Sequence, residues 1–218
     1  MNTQNQLSTR QLIEQLGSPH HRVRREAYDQ LMAKGQAVLD DLLAAMTNEN
    51  PHIRECCASL MDHLGDDRCI DPLIQATHDP VAFVRRSAVH ALACDRCKPL
   101  PLDVDLIPRL TELALHDPST KVRQQAVYGL ALRNADKRIV PVFEEVIHEM
   151  TAKPKLSKKE RGVLFAARWG MNRHQRVRKH MKNDSTPQTN QIQSQSVPDP
   201  PYESSRRPLA ILCVKGDG

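Results

Sequence analysis

Aromatic side chains are scarce in this chain: Phe, Tyr and Trp make up 3% of its 218 residues, and there is one Trp. Strands draw on aromatic and β-branched residues, so this scarcity argues against a sheet and leaves Leu, Ala and Val to build thin layers of packed helix. Glycine is sparse as well, with eight residues in all, and none forms a phosphate-cradling loop. There is no G-x-S-x-G, and His148-Glu149 is followed by Met-Thr-Ala and so lacks the second His of a zinc-protease helix. The adjacent carboxylates Glu144-Glu145 and Asp66-Asp67 diverge on a helix or sit in a turn, as solvated surface. The expectation is a chain that is not an enzyme and takes no cofactor.

Long apolar runs are also missing. Leu209 to Val214 spans six residues, whereas a membrane-crossing helix needs roughly 20. The polar stretch from Met1 to Arg10 has no apolar core of a secretory signal. Six cysteines are dispersed through a chain large enough to need no staples, which reads as reduced thiols, no disulfides, no membrane and a cytoplasmic location.

A hydrophobic content of 39% is enough for one core of ordinary size. Residues 1–150 hold 17 Lys and Arg against 21 Asp and Glu, a net of −4, and residues 151–218 hold 14 against 5, a net of +9. The overall charge of +5 therefore belongs to the C-terminal part alone.

Four segments align without gaps: Ser18-Pro-His-His-Arg-Val-Arg-Arg-Glu-Ala-Tyr-Asp-Gln-Leu31, Asn48-Glu-Asn-Pro-His-Ile-Arg-Glu-Cys-Cys-Ala-Ser-Leu-Met61, Asp79-Pro-Val-Ala-Phe-Val-Arg-Arg-Ser-Ala-Val-His-Ala-Leu92 and Asp117-Pro-Ser-Thr-Lys-Val-Arg-Gln-Gln-Ala-Val-Tyr-Gly-Leu130. Their common frame is a polar residue, then V/I-R-x-x-A/C-x-x-x-L/M. It starts at Val23, Ile53, Val84 and Val122, a period of 30, 31 and 38 residues that signals a solenoid, with Lys98-Pro99-Leu100-Pro101 as an insertion in the longest interval. Apolar positions at i, i+4 and i+8 make each segment the second helix of a pair, with Asp, Asn or Ser as its N-cap. First helices fall at about residues 8–16, 36–47, 68–77, 104–115 and 138–151, and a degenerate fifth second helix at about 157–171 keeps Val163, Ala167 and Trp169. The small Ala27, Cys57, Ala88 and Ala126 permit close helix approach.

The D-P-x-x-x-V-R-x-x-A-x-x-x-L unit, followed by stretches such as Leu64-Gly-Asp-Asp-Arg-Cys-Ile-Asp-Pro-Leu-Ile74, resembles the HEAT-like repeats first described in phycobilisome lyases. The resemblance implies an all-α, right-handed α-solenoid of about five HEAT-like helix pairs. It also implies a ladder pairing Asp and Arg across neighbouring units, involving Asp79 with Arg85, Asp117 with Arg123, and Arg24 and Arg54; Ser18 and Asn48 stand where the first two units would carry Asp. Most proteins of this type are scaffolds, and a minority act on bilins or alkylated DNA. The chain divides into an arm (1–7), the repeats (8–152), a basic capping helix region (153–182) and a disordered Ser/Gln/Pro-rich tail (183–218) that contains Leu209 to Val214.

With the frame facing the core, the positions expected to be exposed are −1, +2, +3 and +6 from the Val or Ile: Arg22/His52/Phe83/Lys121, Arg25/Glu55/Arg86/Gln124, Glu26/Cys56/Ser87/Gln125 and Asp29/Ser59/His90/Tyr128. Phe83, Arg86, His90, Lys121, Gln124 and Tyr128 would form a concave binding patch of hot-spot residue types, or else pack as ordinary periphery. His90-x3-Cys94-x2-Cys97 offers three zinc-type ligands without a second C-x-x-C, so no metal is expected and this trio is the one candidate. Residues 153–182 hold 11 Lys and Arg against Glu160 alone. Arg168, Arg173, Arg176, Arg178 and Lys179 could contact phosphate, or could simply keep a last helix soluble. The leading reading is a non-enzymatic scaffold for a protein partner. The alternatives are nucleic-acid binding through the basic segment and, by fold analogy alone, a bilin lyase-like or DNA-repair-like enzyme.

Overall fold

The computed structural model describes residues 7–98, 102–134 and 136–183. The N-terminal arm before residue 7 and the tail expected to be disordered, with Leu209 to Val214, lie outside the described residues. All regular structure among the described residues is helical, in two compact units, one running to Leu106 and one beginning at Ile107.

The first unit holds α1 (Thr9–Gln15), α2 (His21–Lys34), α3 (Leu39–Ala45), α4 (Pro51–Leu64), α5 (Ile70–Ala76) and α6 (Ala82–Ala93). Short and long helices alternate as the first and second members of three solenoid pairs. Each pair packs on itself, α1 on α2, α3 on α4 and α5 on α6, and the long helices pack on one another, α2 on α4 and α4 on α6. The first helices at 36–47 and 68–77 are shorter than expected, because each begins with a 3-10 turn, Gly35–Val38 and Asp67–Cys69. Gly35 enters its turn at φ 56°, a backbone conformation that side chains with a Cβ avoid.

The second unit holds α7 (Ile107–His116), α8 (Thr120–Leu132), α9 (Ile139–Ala152) and α10 (Lys158–Asn183). Ser157 and Glu160 start α10 with a reciprocal capping box, the Glu160 amide donating to Ser157 Oγ at 3.2 Å and the Ser157 amide to Glu160 Oε2 at 2.9 Å. Beyond that cap the sequence has no Pro and is rich in Arg and Lys, so the helix runs 12 residues past the expected end at 171. Gly170 lets α10 approach α8 and α9, since a Cβ there would lie 2.6 Å from Phe143 Cζ and 2.9 Å from Ala131 Cβ.

The frame residues build the core. Val84, Val122, Ala27, Cys57, Ala88 and Ala126 are fully buried. Fully burying a Val, Leu or Ile side chain stabilises by roughly 1.5–3 kcal/mol, so this recurring row supplies much of the cohesion between pairs.

The polar residue that opens each frame is not the N-cap. Ser18, Asn48, Asp79 and Asp117 each accept, on a side-chain oxygen, the amide of the residue two positions on, at 3.2, 2.8, 2.8 and 2.7 Å. These side-chain turns bend the chain into the helix. The caps themselves are His20, Asn50, Val81 and Ser119, of which Asn50 alone holds a helix amide with its side chain.

Candidate functional site

The frame arginine is a structural clamp. Nη1 of Arg24 donates to the carbonyls of Ser18 and Pro19, Nη1 of Arg54 to Asn48 and Glu49, and Nη1 of Arg85 to Asp79 and Pro80, always six and five residues back. The guanidinium therefore satisfies carbonyls of its own entry turn and can use its remaining donors elsewhere. Arg54 turns that fork onto Asp79 of the next pair, Nε to Oδ2 at 2.7 Å and Nη2 to Oδ1 at 3.0 Å. The carboxylate of Asp79 thus takes Arg54 of the preceding pair, while Arg85 Nη1 holds the main-chain carbonyls of the turn that Asp79 opens. Arg123 departs from the pattern: its Nε donates to the Ala114 carbonyl at 2.9 Å and its fork embraces the Glu149 carboxylate.

The surface rows are exposed only in part. Glu55, Ser59 and Ser87 are buried, as is Tyr128, which meets the Trp169 ring edge-on at 6.2 Å. A long helix here packs on neighbouring long helices as well as on its own partner, so more than one stripe is covered; in the second unit it is α10 that packs on α8. His90 is also withdrawn from the surface row, with its ring turned toward Asp62 and Cys97. Lys121 and Gln124 lie half-buried on α8, in the other unit from Phe83 and Arg86.

At position −1 the first unit carries an accessible pair. His52 and Phe83, each half-buried, stack across α4 and α6 with ring centroids 5.1 Å apart and planes 13° from parallel. Burial, helped by the Arg24 charge, lowers the His52 pKa and favours a neutral, aromatic ring. Arg86 is one helical turn beyond Phe83 and half-exposed.

On α10, Arg161, Arg168 and Arg176 are exposed, and Phe165 among them is 44% exposed. Arg173 lies over the Trp169 ring at 5.9 Å. The side chains of Arg178 and Lys179 lie outside the described residues.

The three candidate ligands come together at the end of α6. The Sγ atoms of Cys94 and Cys97 are 3.3 Å apart, with no disulfide between them, and Cys97 Sγ is 3.5 Å from His90 Nε2. The ligand atoms of the trio all lie within 4.8 Å of one another. Asp62 of α4 adds a fully buried carboxylate, its Oδ2 3.2 Å from His90 Nε2. That oxygen accepts no hydrogen bond from the described residues. Its other oxygen, Oδ1, lies 3.3 Å from Lys98 Nζ, which also donates to the Cys94 carbonyl. His63 Nδ1 is 3.2 Å from the Cys97 carbonyl. Against the cost of burial, the Asp62 carboxylate and Cys94 raise the His90 pKa to about 9. The Cys97 thiol, with His90, draws Cys94 well below the usual thiol range, and Cys97 is itself pushed up by Cys94 and by burial.

Residues 9–93 match a family described as HEAT repeats. These residues are HEAT repeats. A solved structure, the complex of CpcE and CpcF of phycocyanin lyase from Nostoc sp. PCC7120, contains a chain similar to this one at 22% identity and a TM-score of 0.56, covering 73% of this chain and 97% of that chain. No curated protein sequence matches. No helix among the described residues is long and apolar enough to cross a membrane.

The spacing His90-x3-Cys94-x2-Cys97 pointed to these three residues but not to Asp62, Lys98 and His63. Glu55, Ser59 and Asp62 recur at i, i+4 and i+7 on the polar side of α4, which an amphipathic reading assigns to solvent. In HEAT packing that side meets the adjacent long helices. The one available signal was a carboxylate inside Leu60-Met61-Asp62-His63-Leu64, where most neighbours are apolar.

Proposed function

We propose that the HEAT repeats serve as a non-enzymatic scaffold that holds a protein partner against the long helices of the first unit. The His52–Phe83 stack carries this reading. It is a flat, half-exposed aromatic surface built by two successive repeats, with the flexible arginine Arg86 one turn away. Rigid aromatics lose little entropy on binding, and Arg and aromatic residues dominate interface hot spots. The similar chain in the phycocyanin lyase structure belongs to a complex of two proteins, in keeping with a repeat surface that engages another chain.

The test is capture from the native cytosol by the full chain, beside Phe83→Ala and Arg86→Ala proteins shown by circular dichroism to be folded. A hot spot worth about 2 kcal/mol weakens a partner roughly 30-fold. Equal retention by all three proteins would refute the reading.

The exposed Arg161, Arg168 and Arg176 around Phe165 support a second reading, nucleic-acid binding along α10. On that reading retention falls steeply with salt, and Arg168→Gln with Arg176→Gln lowers the slope of log affinity against log salt by about 1.4 for single strands. An unchanged slope in the double variant would dismiss it.

A further inference from the structure

We propose that His90 Nε2, Cys94 Sγ, Cys97 Sγ and Asp62 Oδ2 form a four-ligand site for a zinc ion at the C-terminal end of α6, independent of the partner-binding surface. A tetrahedral zinc with Zn–S of about 2.3 Å and Zn–N or Zn–O of about 2.0–2.1 Å sets its ligands about 3.8 Å apart for two sulfurs, about 3.5 Å for sulfur and nitrogen, and about 3.3 Å for nitrogen and oxygen. The corresponding separations here are 3.3, 3.5 and 3.2 Å. These are three of the six edges of a coordination tetrahedron, and they link ligand atoms from three elements: α4, the end of α6 and the loop after it.

Asp62 is the observation that points to a cation. Its side chain is fully buried, Oδ1 is held by Lys98, and Oδ2 faces the His90 and Cys97 side without accepting a hydrogen bond. A buried carboxylate oxygen needs a cation beside it, and here that cation is either the His90 ring in its protonated form, 3.2 Å away, or a metal ion that both residues ligate. Two thiolates and a carboxylate bring three negative charges, and Zn²⁺ with the buried Lys98 ammonium brings three positive ones, so the filled site is neutral. Thiolate with imidazole selects zinc over magnesium or calcium, which prefer all-oxygen shells. Lys98 fixes Asp62 and the Cys94 carbonyl, and His63 lies against the Cys97 carbonyl, the outer-shell contacts that orient ligands. The half-exposed Cys97, beside the exposed Asp95 and Arg96, opens the site to entering metal. A redox dithiol would account for the two sulfurs but not for the convergence of a carboxylate and an imidazole on them.

The experiment uses the full chain, purified under reductant without chelator. Elemental analysis should find about one zinc per chain. Cobalt(II) added to the chelator-stripped protein should give a thiolate-to-cobalt charge-transfer band that saturates at one equivalent, with the intense visible bands of tetrahedral coordination. Cys94→Ser and Cys97→Ser should abolish that band, and Asp62→Asn should weaken zinc binding while altering the visible bands. Lys98→Gln, outside the coordination shell, should weaken zinc about 10–100-fold. The cobalt titration of the wild-type chain stands whether or not the variants fold. A reduced, folded wild-type chain that gives no charge-transfer band would overturn the proposal. So would a band that survives Cys94→Ser, or a chain that forms a Cys94–Cys97 disulfide in air but binds no metal when reduced.

Discussion

Replacing Arg54 with Met should cost this protein far more than any exposed ion pair, because it removes two functions at once. The guanidinium holds the Asn48 and Glu49 carbonyls at 2.7 and 3.0 Å and the Asp79 carboxylate at 2.7 and 3.0 Å. The pair is largely withdrawn from water, with side-chain exposures of 13% for Arg54 and 8% for Asp79. The methionine fills the arginine stem but leaves the carboxylate buried beside the Val81 amide alone. Breaking a buried pair by removing one partner costs about 3–5 kcal/mol. For a domain of this size that lowers the melting temperature by roughly 6–20 °C. The comparison is Arg25→Ala, which loses the more exposed pair with Asp29 and should cost under about 1 kcal/mol. Asp79→Asn separates the two contributions, since an amide oxygen can still accept from Val81 while the charge is gone. Thermal melts followed by circular dichroism at low and high salt measure all three, and the Arg54–Asp79 contribution should persist in salt because a buried pair is poorly screened. Hydrogen exchange should place the lost protection in α4 and α6. If Arg54→Met melts as Arg25→Ala does, the clamp is not what joins these repeats.

The remaining predictions concern single side chains. The lowered His52 pKa means that the unfolded chain takes up this proton first as pH falls. The associated stability is therefore present above the ordinary histidine value of 6.5 and lost as pH drops through the folded value, and His52→Phe should flatten acid unfolding in that window. Gly170→Ala should destabilise despite the better helix propensity of Ala, by about 1–3 kcal/mol of overpacking against Phe143 and Ala131 that propensity offsets by about 1 kcal/mol; an unchanged urea midpoint would contradict that packing. Tyr28→Phe removes the buried hydroxyl that lies 3.0 Å from Ser59 Oγ, and should cost about 1 kcal/mol in the same assay.

How far the sequence could be read depended on how local each constraint is. The period of 30 and 31 residues, the V-R frame and the row of small residues all act within one or two helices, so periodicity alone determined the all-α class, the alternation of first and second helices and the burial of Ala27, Cys57, Ala88 and Ala126. The fate of the polar residues was not local. Ser18, Asn48, Asp79 and Asp117 could be recognised as helix openers, but their hydrogen bonds to the amide two residues on, and in the first three frames the Arg reaching back to the same turn, required the folded backbone. The partner of Asp79 was decided by which long helix stacks next to it.

The cluster around His90 divides along the same line. Its three candidate ligands were legible because they lie within eight residues of one another, His90 on α6, Cys94 just past its last residue and Cys97 in the loop beyond. Asp62 lies 28 residues upstream of His90 on another helix, on a stripe that amphipathic periodicity assigns to solvent. Only the packing of α4 against α6 turns that stripe inward and sets its carboxylate 3.2 Å from the imidazole. Sequence periodicity records which face of a helix meets its own partner; which other faces are covered is decided by the neighbours that stack on it, and that is information no single repeat contains.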